Sequence, residues 1–129
     1  MVVRLGVIGG GNMGAALVGG LLSNRWAPSD LAVVEVLEAD WSTLLDRGPY
    51  TLLFLDSGEP SAVGVDAVAD LVEDGGIVVL DDVDPCSTWP PISRGRVDIL
   101  RERWLTDERF TAVEVMVAPD AAVVIATKR

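Results

Sequence analysis

Short, almost continuous runs of apolar residues alternate along the chain with stretches in which apolar residues recur every three or four positions. The continuous runs are typical of buried strands, and the periodic stretches are typical of helices that bury one face. We therefore predict six strands, lettered A to F in chain order, with helices between them. The strands are predicted at 2–8, 31–36, 50–56, 77–82, 110–117 and 121–128.

Helices are predicted at 12–24, 41–48, 61–73 and 97–106, and the Pro-rich stretch 83–96 is predicted to be a loop. Gly75 and Gly76 follow the third helix and are expected to end it. Three helices have an apolar face, formed by Leu17, Val18, Leu21 and Leu22, by Val65, Val68, Ala69 and Val72, and by Val97, Leu100, Trp104 and Leu105.

This alternation predicts one Rossmann-like α/β domain over residues 1–129, with a doubly wound, mostly parallel six-stranded sheet. Residues 118–121, "APDA", are too few for a crossover between the last two strands, so these strands must be antiparallel. We expect the sheet order B-A-C-D-F-E, with one reversed strand near the C-terminal edge. Strand B is then an exposed edge, and a homodimer through 31–36 is a further expectation.

The charge, the absence of histidine and the single cysteine make several kinds of binding partner and catalytic site less expected. The formal net charge of −10 disfavours nucleic acid and anionic membranes, and the absence of histidine removes the commonest general base. No apolar run reaches the roughly 18 residues of a membrane span. Cys86 is the only cysteine, so the chain has no internal disulfide, and a reducing, cytoplasmic location is expected. Arg4 interrupts the first apolar run, which argues against a signal peptide.

Residues 6–22 read "GVIGGGNMGAALVGGLL", and Gly9, Gly11 and Gly14 form a G-x-G-x-x-G motif between strand A and the first helix. Such a turn lets a pyrophosphate approach the helix N-terminus, and an acid at the end of the next strand can bind ribose hydroxyls. Glu35 stands 21 residues after Gly14 and fits that role. The predicted cofactor-binding residues are Gly9, Gly10, Gly11, Asn12, Met13, Gly14 and Glu35, with Asp56 at the next strand end.

This arrangement predicts NAD or NADP as cofactor. NAD is preferred, because the Glu35 carboxylate would repel a 2′-phosphate and Val36 offers it no positive charge. The alternative is a glycine-rich turn kept only for close packing.

The opening stretch "VIGGGNMGAALVGGLL" resembles the N-terminus of pyrroline-5-carboxylate reductase, and the resemblance extends to about residue 38. It implies a nicotinamide dinucleotide on Gly9–Gly14. The catalytic region and the helical dimerisation domain of that family have no counterpart in this chain.

Residues 40–129 are similar instead to the C-terminal half of class I S-adenosylmethionine-dependent O-methyltransferases. The similarity lies in "ADWSTLLDRGPYTLLFLDSG", "LVEDGGIVVLDDVDPCSTWPP" and the final hairpin "FTAVEVMVAPDAAVVIATKR". This resemblance implies a reversed strand in the sheet and S-adenosylmethionine as cofactor. It also implies that Asp56, Asp81 and Asp82 match the acids that hold Mg²⁺ in metal-dependent members. The alternative is that these acids are simply solvated at the strand ends.

The glycine loop itself departs from the methyltransferase pattern, in which an acid stands two positions before the first glycine. Here that position is Val7, and Met13 replaces the third glycine of that family's loop. We therefore interpret the chain as a fusion of two halves near residues 38–41, which forms a dinucleotide-binding module without catalytic residues or turnover. The alternatives are a methyltransferase-like enzyme, metal-assisted or not, and a scaffold that binds nothing.

Overall fold

The computed structural model describes residues 4–9, 12–34, 41–55 and 64–129. The elements of the first part are β1 (Leu5–Ile8), α1 (Asn12–Ser23), a single 3-10 turn (Pro28–Asp30), β2 (Leu31–Val34), α2 (Trp41–Arg47), β3 (Tyr50–Leu55), α3 (Val65–Ala69) and β4 (Val72–Val83). Those of the second part are β5 (Ile92–Ser93), β6 (Arg96–Val97), α4 (Ile99–Thr106), β7 (Phe110–Ala118) and β8 (Ala121–Lys128).

The main sheet has six strands in the order β2-β1-β3-β4-β8-β7. Strands β2, β1, β3 and β4 are parallel, and β8 runs antiparallel to both of its neighbours. The short turn after Ala118 forces the chain to reverse, as the sequence predicts. The fold class and the order B-A-C-D-F-E are therefore confirmed, and β2 is an edge strand.

The larger apolar core lies on the sheet face that carries α2, α3 and α4. Trp104 of α4 is fully buried there, and its ring meets the Phe110 ring edge-on with centroids 5.2 Å apart. Tyr50 donates a hydrogen bond from its hydroxyl to the Leu44 carbonyl at 3.1 Å, and burial raises the pKa of this tyrosine. Helix α1 lies on the opposite face, where its apolar side packs on β1 and β3.

The third helix is shorter than predicted and ends at Ala69, and residues 61–63 of its expected start lie outside the described residues. The chain turns at once into β4, because the Leu71 carbonyl accepts a hydrogen bond from the Tyr50 N–H at 2.7 Å. Val72 then pairs with Tyr50 in the sheet, so β4 begins five residues before the predicted 77. The expected apolar face is buried, although Val72 contributes to it from a strand.

The predicted loop 83–96 contains a small hairpin, in which β5 and β6 are joined by Arg94 and Gly95 at φ 50° and 76°. Helix α4 starts after this hairpin because the Asp98 side chain caps it, accepting from the Arg101 N–H at 3.0 Å. Val97 therefore belongs to the hairpin and is 44% exposed, so its predicted place in the core was wrong. Leu22 of α1 is likewise 43% exposed rather than buried.

Gly76 in β4 has no room for a side chain. A β-carbon there would lie 2.5 Å from Val72 Cγ1 and 2.8 Å from the Glu73 carbonyl oxygen. We expect Gly76→Ala to lower the free energy of unfolding by about 1–3 kcal/mol through overpacking, as measured by urea denaturation. Gly19→Ala is the control, because nothing lies within 4 Å of its β-carbon in α1, and it should stabilise by roughly 0.5–1 kcal/mol. Equal stability of both variants would contradict this packing.

Candidate functional site

Strands β1, β2 and β3 end at one level, and β4 passes that level at Leu80 and continues to Val83. Ile8 pairs with both Val34 and Leu55, and Leu55 pairs in turn with Leu80. The residues that follow Ile8, Val34, Leu55 and Leu80 in the sequence are Gly9, Glu35, Asp56 and Asp81. In open α/β sheets, ligands bind beyond the carboxyl ends of the strands, so this edge is the candidate site. Glu35 and Asp56 themselves lie outside the described residues.

The glycine turn between β1 and α1 is tight where the structure describes it. Gly9 is buried and has φ 99°, a conformation that residues with a side chain rarely adopt. A β-carbon on Gly14 would collide with the Gly9 carbonyl oxygen, so this helix position also needs glycine. Gly10 and Gly11 lie outside the described residues, and Asn12 and Met13 begin α1. The predicted strand before the motif and the predicted helix after its first glycines are therefore present.

Asp81 and Asp82 lie at a β-bulge near the carboxyl end of β4. Leu80 pairs with Val124 but Val83 pairs with Ala122, so β4 has one extra residue here. Asp82 takes φ 59° and is exposed, while Asp81 is half-buried. Such bulges re-aim side chains and are common beside active sites. Within the described ranges, no group of three or more metal-ligating side chains comes together.

Arg101 of α4 fastens the segment that leaves β4. Its side chain is 2% exposed, and Nη1 donates to the Asp84 carbonyl and, at 3.1 Å, to Glu114 Oε2. Its Nε donates to Asp98 Oδ2 at 3.0 Å, and Nη2 lies at the same distance from that oxygen without hydrogen-bond alignment. Glu114 also accepts from the Cys86 N–H at 3.3 Å.

The burial of Arg101 was not predicted, because the apolar face expected for this helix contains only Val97, Leu100, Trp104 and Leu105. An arginine is seldom buried unless it is paired, and its partners here come from three separate segments. The sequence feature that comes nearest to indicating this burial is Asp98, three residues before Arg101 at the start of the helix. Acid and base at this spacing also pair on exposed helix surfaces, so the spacing does not distinguish a buried arginine.

Cys86 lies in the same segment and is partly exposed. Its sulfur is 3.2 Å from Thr88 Oγ1 and accepts from the Ile92 N–H at 3.2 Å. These hydrogen bonds, the Thr88 hydroxyl first, stabilise the thiolate and lower the pKa of Cys86. Ser93 Oγ donates to Asp84 Oδ2 at 2.7 Å, so the β5–β6 hairpin is held beside the exit of β4.

Several solved structures with a similar fold are methyltransferases. No protein-family model and no curated protein sequence matches the chain. An S-adenosylhomocysteine-bound methyltransferase from Podospora anserina superposes with TM-score 0.57 and 14% identity, covering 98% of this chain and 71% of that one. An rRNA methylase from Streptococcus thermophilus superposes with TM-score 0.57 and 18% identity, covering 98% and 87%.

A protein from Corynebacterium glutamicum superposes with TM-score 0.59 and 18% identity, covering 97% of this chain. The chain spans only 60% of the length of that protein. At such identities the likeness shows the fold alone, which is a Rossmann-like α/β fold that methyltransferases also have.

The interpretation as a fusion near residues 38–41 is not supported. In each of these superpositions one fold covers 97–98% of the chain, on both sides of the expected junction. No finding supports a reductase segment or NAD(P) as the main cofactor. Among the described residues, no helix has the length and apolarity that crossing a membrane would require.

We expect Arg101→Met to lower the free energy of unfolding by roughly 1.5–3 kcal/mol, because Glu114 and Asp98 lose charged hydrogen bonds. The matched control is Arg103→Met, at an exposed position of the same helix, which should stay within about 0.5 kcal/mol of the unmodified protein. Urea titrations of both variants provide the measurement. Equal effects of the two substitutions would show that the guanidinium of Arg101 is not buried in this cluster.

Proposed function

We propose that this chain binds S-adenosylmethionine at the carboxyl edge of its parallel strands and is a class I methyltransferase or part of one. The observation that carries the proposal is the reversed strand β8 between β4 and β7. Dinucleotide-binding folds arrange six strands in the order 3-2-1-4-5-6 without such an inserted strand. The sheet therefore favours methyltransferase chemistry over the dinucleotide that the glycine motif suggests.

The residues at the turn suit the nucleoside of this cofactor. Gly9 and Gly14 keep side chains out of the space between β1 and α1, so a ligand can approach the backbone. Glu35 follows β2, which is where an acid binds ribose hydroxyls in nucleotide-binding sheets. Methyltransferases place an acid two positions before the first glycine, but this chain has the fully buried Val7 at that position. We therefore assign the binding of the ribose hydroxyls to Glu35. When bound, S-adenosylmethionine supplies an electrophilic methyl group.

The charge of the protein points in the same direction. The formal net charge is −10, which disfavours the anionic pyrophosphate of NAD and still more the extra phosphate of NADP. S-adenosylmethionine carries a sulfonium and a net positive charge. The overall field of the chain thus attracts the methyl donor and repels the dinucleotides.

Binding can be measured by isothermal titration calorimetry with S-adenosylmethionine and S-adenosylhomocysteine. We expect both to bind, and Glu35→Gln to weaken both by about 10- to 100-fold through loss of charged hydrogen bonds to ribose. Asp46→Asn, an exposed carboxylate on α2, is the matched control and should leave the affinity unchanged. Tighter binding of NADH or NADPH would contradict the proposal, and so would a failure of all four ligands to bind, which is the outcome for a scaffold.

A second candidate is the metal-assisted form of the same activity, and the bulge at Asp81 and Asp82 favours it. With Asp56 these carboxylates would offer the oxygen ligands that Mg²⁺ prefers. We expect saturating Mg²⁺ to raise the melting temperature, and Asp82→Asn to abolish that rise, while Asp120→Asn in the β7–β8 turn preserves it. If Mg²⁺ changed the melting temperature of both variants equally, the metal-assisted form would be contradicted, and these carboxylates would be solvated side chains without a metal.

A further inference from the structure

The described residues cover only half the width of the sheet face that carries α1. Helix α1 packs on Leu5 and Val7 of β1 and on Leu52 and Phe54 of β3. Farther along the same face, β4, β8 and β7 present apolar side chains that belong to neither core of the described residues. We call these the apolar patch: Ile77, Val79, Val113, Val115, Val123 and Ile125.

Strand register shows that the apolar patch is continuous. Ile125 pairs with both Val79 and Val113, so these three side chains form one row across the sheet. Val113 is 54% exposed, Ile77 is 39% exposed and Val115 is 38% exposed. Antiparallel strands that face water normally carry polar residues on that side, so a row of valine and isoleucine marks an interaction surface.

We propose that the apolar patch is the interface of a symmetric homodimer, in which two copies pack patch against patch. No charged side chain lies within the patch, whereas the chain as a whole has a formal net charge of −10. An uncharged apolar surface is poorly matched by an acidic one. The surface of a second copy that complements the patch is therefore the same patch, which is the condition for a two-fold interface.

The position of α1 fixes how the two copies fit. Packed sheets lie about 10 Å apart, and a helix with its side chains is about 10–12 Å across. A two-fold axis parallel to the strands places β8 over β8 and β7 over the β4 of the second copy. Each α1 then lies just beyond the edge strand β7 of the other copy. In this position it packs beside the second sheet and does not overlap it.

The size of the patch sets the expected strength. Strand β7 has nine residues, which corresponds to about 30 Å, and three strands span about 14 Å, so the whole face of β4, β8 and β7 covers roughly 400 Å² per copy, with the apolar patch as its central part. A standard interface covers about 800 Å² per partner. The patch alone lies below this size, and the flank of α1 adds to it. We therefore expect a reversible dimer whose dissociation constant lies in the micromolar range.

Sedimentation equilibrium between about 1 and 500 µM tests the proposal. The expected mass rises with concentration from 13.7 kDa towards twice that value. Val115→Lys should remain monomeric throughout. Ile99→Lys, at a 62% exposed position on α4, is the matched control and should dimerise like the unmodified protein. A monomer at the highest concentration, larger aggregates without a fixed stoichiometry, or dimerisation of Val115→Lys would each overturn the proposal.

Circular dichroism and a thermal melt establish that Val115→Lys is folded. If it is not, methyl NMR of the unmodified protein with a soluble paramagnetic probe replaces it. The methyl groups of Val113, Val115 and Ile125 should become protected from the probe as the concentration rises, while those of Ile99 stay accessible. Protection of β7 amides without protection of these methyl groups would indicate strand-edge pairing and would overturn the face-to-face arrangement.

Discussion

The antiparallel pairing of β8 with β4 is the constraint on which the rest of the structure depends. The turn after Ala118 is too short to cross the sheet, so β7 and β8 must be neighbours of opposite direction. Because β8 lies beside β4, β7 becomes the edge strand. Trp104 of α4 then covers Phe110, the first residue of β7, in the larger apolar core. The bulge at Asp81 and Asp82 arises within this pairing, so the same contact shapes the candidate site.

The sheet could be predicted from the sequence because its determinants are local. Continuous apolar strands, intervening helices and one very short connection leave few arrangements open, and the predicted order is the observed one. The ends of the helices were harder to predict from the sequence. The third helix stops at Ala69 because Leu71 and Val72 are drawn into contact with Tyr50, which is distant in sequence. The burial of Arg101 depends on Asp84, Asp98 and Glu114 together, and no local pattern encodes that convergence.

The glycine motif predicted a dinucleotide, but the motif depends only on the local conformation and packing of the backbone. Gly9 needs its positive φ for the turn, and Gly14 needs its small size to clear the Gly9 carbonyl. Both requirements hold for any nucleotide-binding turn between a strand and a helix, whatever ligand is bound. The feature that discriminates is the reversed strand, and it lies more than a hundred residues along the chain from the glycines. The motif therefore predicts the strand and helix on either side of it, which are present, and does not identify the ligand.

The central claim is that a methyl-donor cofactor binds at the turn between β1 and α1. Backbone amide NMR with S-adenosylhomocysteine tests this most directly, because it reports both binding and its location. The account predicts shifts for Gly9, Gly14 and the residues that follow β3, with none of comparable size on addition of NADH. Shifts confined to another surface, or equal shifts at these glycines with NADH, would contradict it.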